Sequence, residues 1–238
     1  MRIAVAAVLL AGVCLATPAL ADDGSHWSGN VAPTSDYVFR GISQSAENPA
    51  IQGGFDFTDN QFYAGTWASS IDFGTDASGD HGAADLELDV YVGVRPTLGP
   101  VSLDVGVIGY LYPGSTNDFG NYDYWEGYAK ASVAPTAHTT LGVAAYYSPD
   151  FTNESGNAWY VEANGSAALN DDLSVSGAVG YQTVDTPIFA GADSYTTWNA
   201  GATYTTHGFA FDLRYVGTDL DNLPIADDRV VFTIKRAL

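Results

Sequence analysis

From residue 27 to the end of the chain, hydrophobic and polar residues alternate in a series of short stretches. Alternation with a period of two gives a β-strand one apolar and one polar face. The stretches predict strands at 27–40, 50–58, 62–73, 84–95, 101–112, 123–134, 139–148, 158–169, 173–184, 195–205, 209–217 and 229–238. Strands of about ten residues are long enough to cross a membrane when tilted. The pattern therefore predicts an all-β chain of twelve strands.

The connections between these strands alternate strictly between short and long. The short ones are 59–61, 96–100, 135–138, 170–172 and 206–208, and the long ones are 41–49, 74–83, 113–122, 149–157, 185–194 and 218–228. This rhythm is typical of an antiparallel up-and-down transmembrane β-barrel, and an even strand count would put both termini at the periplasmic, short-turn end. Merging or splitting one weak stretch would change the count by two, so ten and fourteen strands stay open as alternatives.

The first residues, 1–21, have the pattern of a secretory signal peptide. An apolar run at 3–15 follows a positive residue, and Ala19-Leu20-Ala21 form a small-residue cleavage signature. The run is shorter than the roughly 20 residues that a helix needs to cross a bilayer. We therefore expect cleavage after this signature, export to the bacterial outer membrane, and a single barrel domain at 22–238.

Composition excludes several classes of protein. The chain has 8 basic and 28 acidic residues and a net charge of −20, which excludes nucleic acid as a partner. Only 15% of the residues are charged and 46% are hydrophobic, so the chain is not a disordered acidic polymer. The one cysteine, Cys14, lies in the predicted signal peptide, so thiol chemistry is not expected in the mature protein.

Charged side chains sort onto the polar face of the predicted strands. In 84–95, Leu86 and Leu88 share one face, whereas Glu87 and Asp89 share the other. Six basic residues also fall on the polar face: Arg40, Arg95, Lys130, Arg214, Arg229 and Lys235. A charge on the lipid face near the midplane costs about 2–4 kcal/mol. The sorting therefore meets the requirement for membrane insertion, although a soluble β-protein with its polar face outward would show the same alternation.

Aromatic residues favour the membrane interpretation over the soluble one. Many lie in strand portions that border the long loops, namely Tyr110, Tyr112, Tyr124, Trp125, Tyr146, Tyr147, Trp159, Tyr160, Tyr195, Trp198 and Tyr215. We expect these rings to form a girdle at the outer interface, half in the acyl chains and half among the headgroups. Core packing is the alternative, because strands favour aromatic residues in soluble proteins as well.

Several runs in the first half of the chain resemble a known family. They are SDYVFRGISQ (35–44), PAIQGGFD (49–56), YAGTWAS (63–69), ELDVYVG (87–93) and DVGVIGYLYPG (104–114). Together they resemble the TorF family, also catalogued as the Gcw_chp domain of proteobacterial outer-membrane proteins. The resemblance implies an outer-membrane barrel that is classed as a porin mainly by analogy, and it brings no catalytic residues. Analogy of this kind argues for location better than for function.

The predicted inward faces are more acidic than basic. Strand parity places ten carboxylates inside: Asp36, Asp56, Asp72, Asp85, Glu87, Asp89, Asp104, Glu126, Glu162 and Asp212. An acidic vestibule concentrates cations and repels anions. We therefore predict a narrow, weakly cation-preferring channel for passive diffusion of small hydrophilic solutes or ions. The residues predicted to line it are Arg40, Asp85, Glu87, Asp89, Arg95, Asp104, Glu126, Lys130 and Arg214.

A non-conducting barrel is the competing interpretation. Twelve strands lie between the eight that enclose packed side chains and the 16 or more that enclose an open channel. Inward charges that pair across the lumen would close it, leaving a structural or surface-binding barrel with acidic outer loops.

An enzyme is not predicted. The four histidines, His26, His81, His138 and His207, lie near the mature start, in a long loop and in short turns, and no nucleophile motif accompanies them. The carboxylates at 85, 87 and 89 could line a cation path or hold Ca²⁺, but they are too far apart for one ion without loop ligands, so a solvated lumen face is the favoured interpretation. No metal or other cofactor is expected. The expected partners are outer-membrane lipid and lipopolysaccharide, the outer-membrane assembly machinery, and small hydrophilic solutes or cations. The oligomeric state stays open.

Overall fold

Twelve long strands form one antiparallel sheet in the computed structural model, which describes residues 25–73, 84–115 and 121–238. The barrel strands are β1 His26–Thr34, β2 Ala50–Asp59, β3 Phe62–Ser70, β4 Leu86–Val94, β5 Val101–Leu111, β6 Tyr124–Thr136, β7 Thr139–Ser148, β8 Ala158–Ala168, β9 Leu173–Val184, β10 Ser194–Thr206, β11 Phe209–Thr218 and β12 Arg229–Ala237. The predicted signal peptide, the loop 74–83 with His81, and part of the loop 113–122 lie outside the described residues. No helix in the described ranges is long and apolar enough to cross a membrane.

The sheet closes on itself. Each strand pairs with its neighbours in sequence, and β4 pairs with β5, with Leu88 opposite Leu111. The last strand returns to the first, with Thr233 of β12 opposite Thr34 of β1. Closure leaves no unpaired sheet edge among the described strands, which is a requirement for strands that cross a lipid bilayer. The predicted all-β, up-and-down barrel of twelve strands is thus confirmed.

The two faces of the strands separate as the alternation predicted. Large apolar side chains are exposed on the outside, among them Leu141 and Val143 of β7. Charged and polar side chains are buried on the inside, among them Glu87 and Asp89 of β4 and Gln182 of β9. A soluble barrel would have the opposite arrangement, with its apolar face inside. The outer face therefore has the character of a lipid-contacting surface.

The first strand is shorter than predicted. It ends at Thr34 rather than at residue 40, and Thr34 lies directly opposite Ala50, where β2 begins. Between these two residues the chain folds into the lumen, and we call residues 35–49 the inner segment. A small hairpin at its centre pairs Val38–Phe39 with Ile42–Ser43.

The inner segment adds aromatic packing to the half of the lumen near the long loops. The ring of Tyr37 lies 5.3 Å from that of Trp67, and the ring of Phe39 lies 5.6 Å from that of Tyr110. Tyr110 in turn stacks on Tyr124 at 4.4 Å. The hydrophobic core of the molecule is therefore inside the barrel and is built around the inner segment.

The predicted aromatic girdle is only partly correct. Trp125, Trp159 and Tyr215 are exposed on the outer face, in agreement with the prediction. Six of the predicted girdle residues are buried in the interior instead: Tyr110, Tyr112, Tyr124, Tyr146, Tyr160 and Tyr195. The prediction used their position along the strands and ignored parity, which puts these tyrosines on the same face as the inward carboxylates.

The outer face yields a stability prediction. Val143 lies at the middle of β7 and is 58% exposed. We expect Val143→Arg to lower the free energy of unfolding in lipid vesicles by about 2–4 kcal/mol, because the charge would enter the hydrocarbon region. Val143→Thr keeps the β-branched shape without the charge and should cost less. Urea titrations of the refolded variants measure both, and equal midpoints for Val143→Arg and the wild type would contradict a lipid-facing position.

Candidate functional site

The base of the inner segment is anchored to the barrel wall. Asp36 accepts hydrogen bonds from the hydroxyls of Ser43, at 2.6 Å, and Ser45, at 2.9 Å. Its second carboxylate oxygen lies 3.0 Å from the guanidinium of Arg229 on β12. The same guanidinium lies 3.3 Å from Glu47. Both ends of the inner segment are thereby held by one basic residue of the wall.

The tip of the inner segment carries Arg40 to the opposite wall. Its two terminal nitrogens donate to the two carboxylate oxygens of Glu126 on β6, at 2.9 and 2.7 Å. One of them also donates to the side-chain carbonyl of Gln182 on β9 at 2.8 Å. The side chains of Arg40 and Glu126 are 5% and 1% exposed. A buried, bidentate ion pair of this kind is among the strongest polar contacts that proteins make.

Aromatic rings enclose the same guanidinium. Its central carbon lies 4.3 Å from the ring centre of Tyr160 and 5.0 Å from that of Tyr146. Phe39, the neighbour of Arg40 in the chain, contributes a third ring at 4.7 Å. These distances are within the range of cation–π attraction. We call Arg40, Glu126, Gln182, Tyr146 and Tyr160 the latch.

A glycine beside Arg40 allows this close approach. Gly41 has a φ of +86°, a left-handed conformation that side chains rarely adopt. A Cβ atom at this position would clash with Cγ2 of Thr218 and lie 2.6 Å from Oγ1 of Thr197. The tip is therefore pressed against β10 and β11 as well as β6, β8 and β9.

The predicted row of carboxylates at the start of β4 is divided by the inner segment. Asp85 precedes the strand and is exposed. Glu87 is buried and accepts a hydrogen bond from the hydroxyl of Tyr37 at 2.7 Å. Asp89 is also buried, and its Oδ1 atom has no hydrogen-bond partner within the described part of the chain. Glu87 and Asp89 thus lie inside the barrel, beneath the inner segment.

A second group of charges lies near the short-turn end. Asp104 of β5 lies 3.5 Å from the guanidinium of Arg95 and 3.9 Å from the ammonium of Lys130. The hydroxyl of Tyr63 donates to Asp104 at 2.5 Å and is also hydrogen-bonded to that of Tyr128. Arg95 lies over the Tyr63 ring, 3.8 Å from its centre. The structure therefore brings Arg95, Asp104 and Lys130 together, and these three side chains are partly exposed to the lumen.

Between the inner segment and the wall lies a cavity of about 200 Å³. Its charged lining residues are Asp36, Arg40, Asp56, Glu162, Asp212, Arg214 and Lys235. Arg214 is held by three neighbours: it donates to Asp212 at 3.2 Å, to Asn199 at 2.6 Å and to Ser176 at 2.8 Å. The walls of the cavity therefore carry both acidic and basic groups.

The nine predicted lining residues occupy four different settings. Arg40 and Arg214 line the cavity; Arg95, Asp104 and Lys130 form the group near the short turns; Glu87, Asp89 and Glu126 are buried around the inner segment; and Asp85 is exposed at the rim. Sequence reasoning missed the latch residues Gln182, Tyr146 and Tyr160. The alternation along their strands indicates that these side chains face inward, but it does not show which inward residues are in contact.

The long connections carry hydrogen bonds of their own. The carboxylate of Asp185 accepts hydrogen bonds from the backbone and side-chain amides of Asn157, at 3.0 and 2.8 Å. The side-chain hydrogen bond from Asn157, followed by the backbone one, lowers the pKa of Asp185. Tyr147 donates to the side-chain oxygen of Asn157 at 2.6 Å.

Within the described ranges, no three His, Cys, Asp or Glu side chains are grouped so that they could hold a metal ion.

Solved structures with a similar fold are outer-membrane barrels. The NanC porin aligns with a TM-score of 0.59 and 11% identity, over 88% of this chain and 98% of the porin. The COG4313 outer membrane channel from Pseudomonas putida F1 aligns with a TM-score of 0.53 and 14% identity, over 92% of this chain and 97% of the channel. At such identities the likeness is one of fold. No curated protein matches the chain.

One family matches nearly the whole sequence. It is the Gcw_chp family, described as a bacterial protein of unknown function, and the match covers residues 18–238. The runs that resemble this family in the first half of the sequence fall within the match. The chain, a closed twelve-stranded barrel with an inward-folded segment, therefore belongs to the Gcw_chp family.

Proposed function

We propose that this protein is an outer-membrane channel for the passive diffusion of small hydrophilic solutes or ions. The observation that carries the proposal is the combination of an apolar outer face with a polar lumen that contains a cavity of about 200 Å³. The solved structures with a similar fold, a porin and an outer membrane channel, support the same class of function.

The inner segment makes this channel narrow. It crosses the lumen from Asp36, paired with β12, to Arg40, paired with β6. The remaining cavity has space for several water molecules. The solutes that fit are accordingly small hydrophilic molecules and hydrated ions.

The partners of the inward carboxylates support a weak preference for cations. Glu126, Asp104, Asp212 and Asp36 lie against basic side chains. Two cavity carboxylates instead receive hydrogen bonds from neutral groups: Tyr91 donates to Asp56, and Tyr160 donates to Glu162. Acidic groups that face the path in this way attract cations.

The proposed orientation puts the short turns and both termini in the periplasm. The apolar outer face would contact outer-membrane lipid after insertion by the assembly machinery, and the acidic long loops would meet the lipopolysaccharide layer.

A non-conducting, surface-binding barrel is the second candidate function. The buried ion pairs of the inner segment favour it, because they occupy the lumen near the long loops.

The cation preference can be measured in planar bilayers. We expect the refolded protein to give small, discrete conductance steps and, in a salt gradient, a reversal potential on the cation side. Asp56→Asn combined with Glu162→Gln should move this potential towards zero, because the two carboxylates face the cavity. Asp193→Asn combined with Asp221→Asn is the matched control, since both residues are exposed in long connections. An equal shift in both double variants would contradict a selective role for the cavity carboxylates.

Removal of the inner segment tests the constriction. Thr34 and Ala50 are direct partners in the sheet, so an Asn-Gly turn in place of residues 35–49 can join β1 to β2 as a tight hairpin. We expect a several-fold rise in single-channel conductance. Gly41→Ala, whose new Cβ would clash with Thr218, should raise the conductance less. If the folded, inserted wild type and shortened variant are both silent, the non-conducting barrel is the correct interpretation.

A further inference from the structure

The wall side of the latch comes from four consecutive strands. Glu126 lies on β6, Tyr146 on β7, Tyr160 on β8 and Gln182 on β9. Tyr146 is the direct partner of Tyr160, and Tyr160 is the direct partner of Gln182. The last three side chains therefore stand side by side in one row across the sheet. Barrel closure places this row on the wall independently of the inner segment.

These wall residues are oriented by partners other than Arg40. Tyr110 donates a hydrogen bond to Glu126 at 3.1 Å. The amide nitrogen of Gln182 donates to the backbone carbonyl of Thr183 at 3.0 Å, which points its oxygen at the guanidinium. The hydroxyl of Tyr160 donates to Glu162 at 2.8 Å. The wall thus presents a preorganised site that Arg40 fills, and preorganisation favours binding.

The chemistry of the site fits a guanidinium group better than an ammonium group. Two parallel hydrogen bonds to one carboxylate need the planar fork of a guanidinium. The rings of Tyr146 and Tyr160 lie 5.0 and 4.3 Å from its central carbon, within the range of cation–π attraction. An ammonium ion is a compact, strongly hydrated charge without a matching fork.

Arg40 fills this site in a strained conformation that a free ligand does not need. Its φ is +47°, which is uncommon for a residue with a side chain. The site also borders the cavity of the lumen, because Arg40, Tyr146 and Tyr160 line it. Glu126 and Gln182 are buried behind Arg40, so a solute in the cavity reaches them when Arg40 moves aside.

We infer that Glu126, Gln182, Tyr146 and Tyr160 form a guanidinium-binding site of the barrel wall, which Arg40 occupies and for which guanidinium-bearing solutes compete. The binding of guanidinium groups at this site does not depend on the proposed channel function. Only the claim that such solutes are transported rests on it. The inner segment acts as a tethered competitor for the site. A solute that displaces Arg40 removes the attachment of the tip to β6 and β9, and so stabilises a wider lumen.

Thermal unfolding of Arg40→Ala tests the site without reference to transport. The refolded variant has the wall residues but lacks the tethered guanidinium. We expect ethylguanidinium chloride at millimolar concentration to raise its Tm, and ethylammonium chloride to need at least about tenfold more for an equal rise. The Tm of the wild type should hardly respond, because Arg40 fills its site. Arg40→Ala combined with Glu126→Gln is the matched control and should lose the response.

Two results would overturn the inference. One is an equal Tm response of Arg40→Ala to the two cations, and the other is an undiminished response when Glu126→Gln is added. If Arg40→Ala does not refold, the variant with Asn-Gly in place of residues 35–49 also leaves the site vacant and is tested with the same pair of cations. Its selective response supports the site, and its lack of selectivity overturns it.

Conductance measurements distinguish a failure of the proposed binding site from a failure of the proposed channel function. In bilayers, we expect ethylguanidinium to block Arg40→Ala at a concentration at least about tenfold lower than ethylammonium. A selective Tm response in a barrel that never conducts would support the site and contradict the channel. Conductance without selectivity in either measurement would support the channel and overturn the site.

Discussion

The pairing of β12 with β1 is the constraint on which the rest of the structure depends. A lipid bilayer offers no hydrogen-bond partners, so a sheet that crosses it has to close. Closure gives every strand an outer face, which must be apolar, and an inner face, which receives all other side chains. The charged residues of the strands are thereby gathered in one confined space, where a carboxylate without a partner is costly. The ion pairs of Arg40 with Glu126 and of Arg214 with Asp212 meet this requirement.

The inner segment shows how twelve strands can enclose a narrow lumen. A barrel of this size is wider than its own inward side chains can fill, and the segment supplies the missing groups. Asp36 neutralises Arg229 on one wall, and Arg40 neutralises Glu126 on another. Tyr37 and Phe39 pack between them against rings of the wall. The segment therefore pairs with these two wall charges, completes the hydrophobic core and narrows the lumen.

One of the runs that resemble the Gcw_chp family has a clear structural meaning. Residues 35–44 form most of the inner segment and carry its ion pairs from Asp36 to Arg229 and from Arg40 to Glu126. Gly41 at its tip has a backbone conformation and a close approach that exclude a side chain. The resemblance in this run therefore concerns the constriction of the barrel, in addition to its general architecture.

The twelve strands and the inward position of the charges could be predicted because a period of two and the composition of turns are local properties of the sequence. The residue at which β1 ends could not be predicted, because a strand and a segment folded into the lumen show the same alternation of polar and apolar residues. The latch was beyond sequence reasoning as well, because Arg40 meets Glu126 and Gln182 across separations of 86 and 142 residues. The sequence alone determined which side chains share a strand face, whereas only closure of the barrel decided which inward residues meet, because it brings strands that are distant in sequence around one lumen.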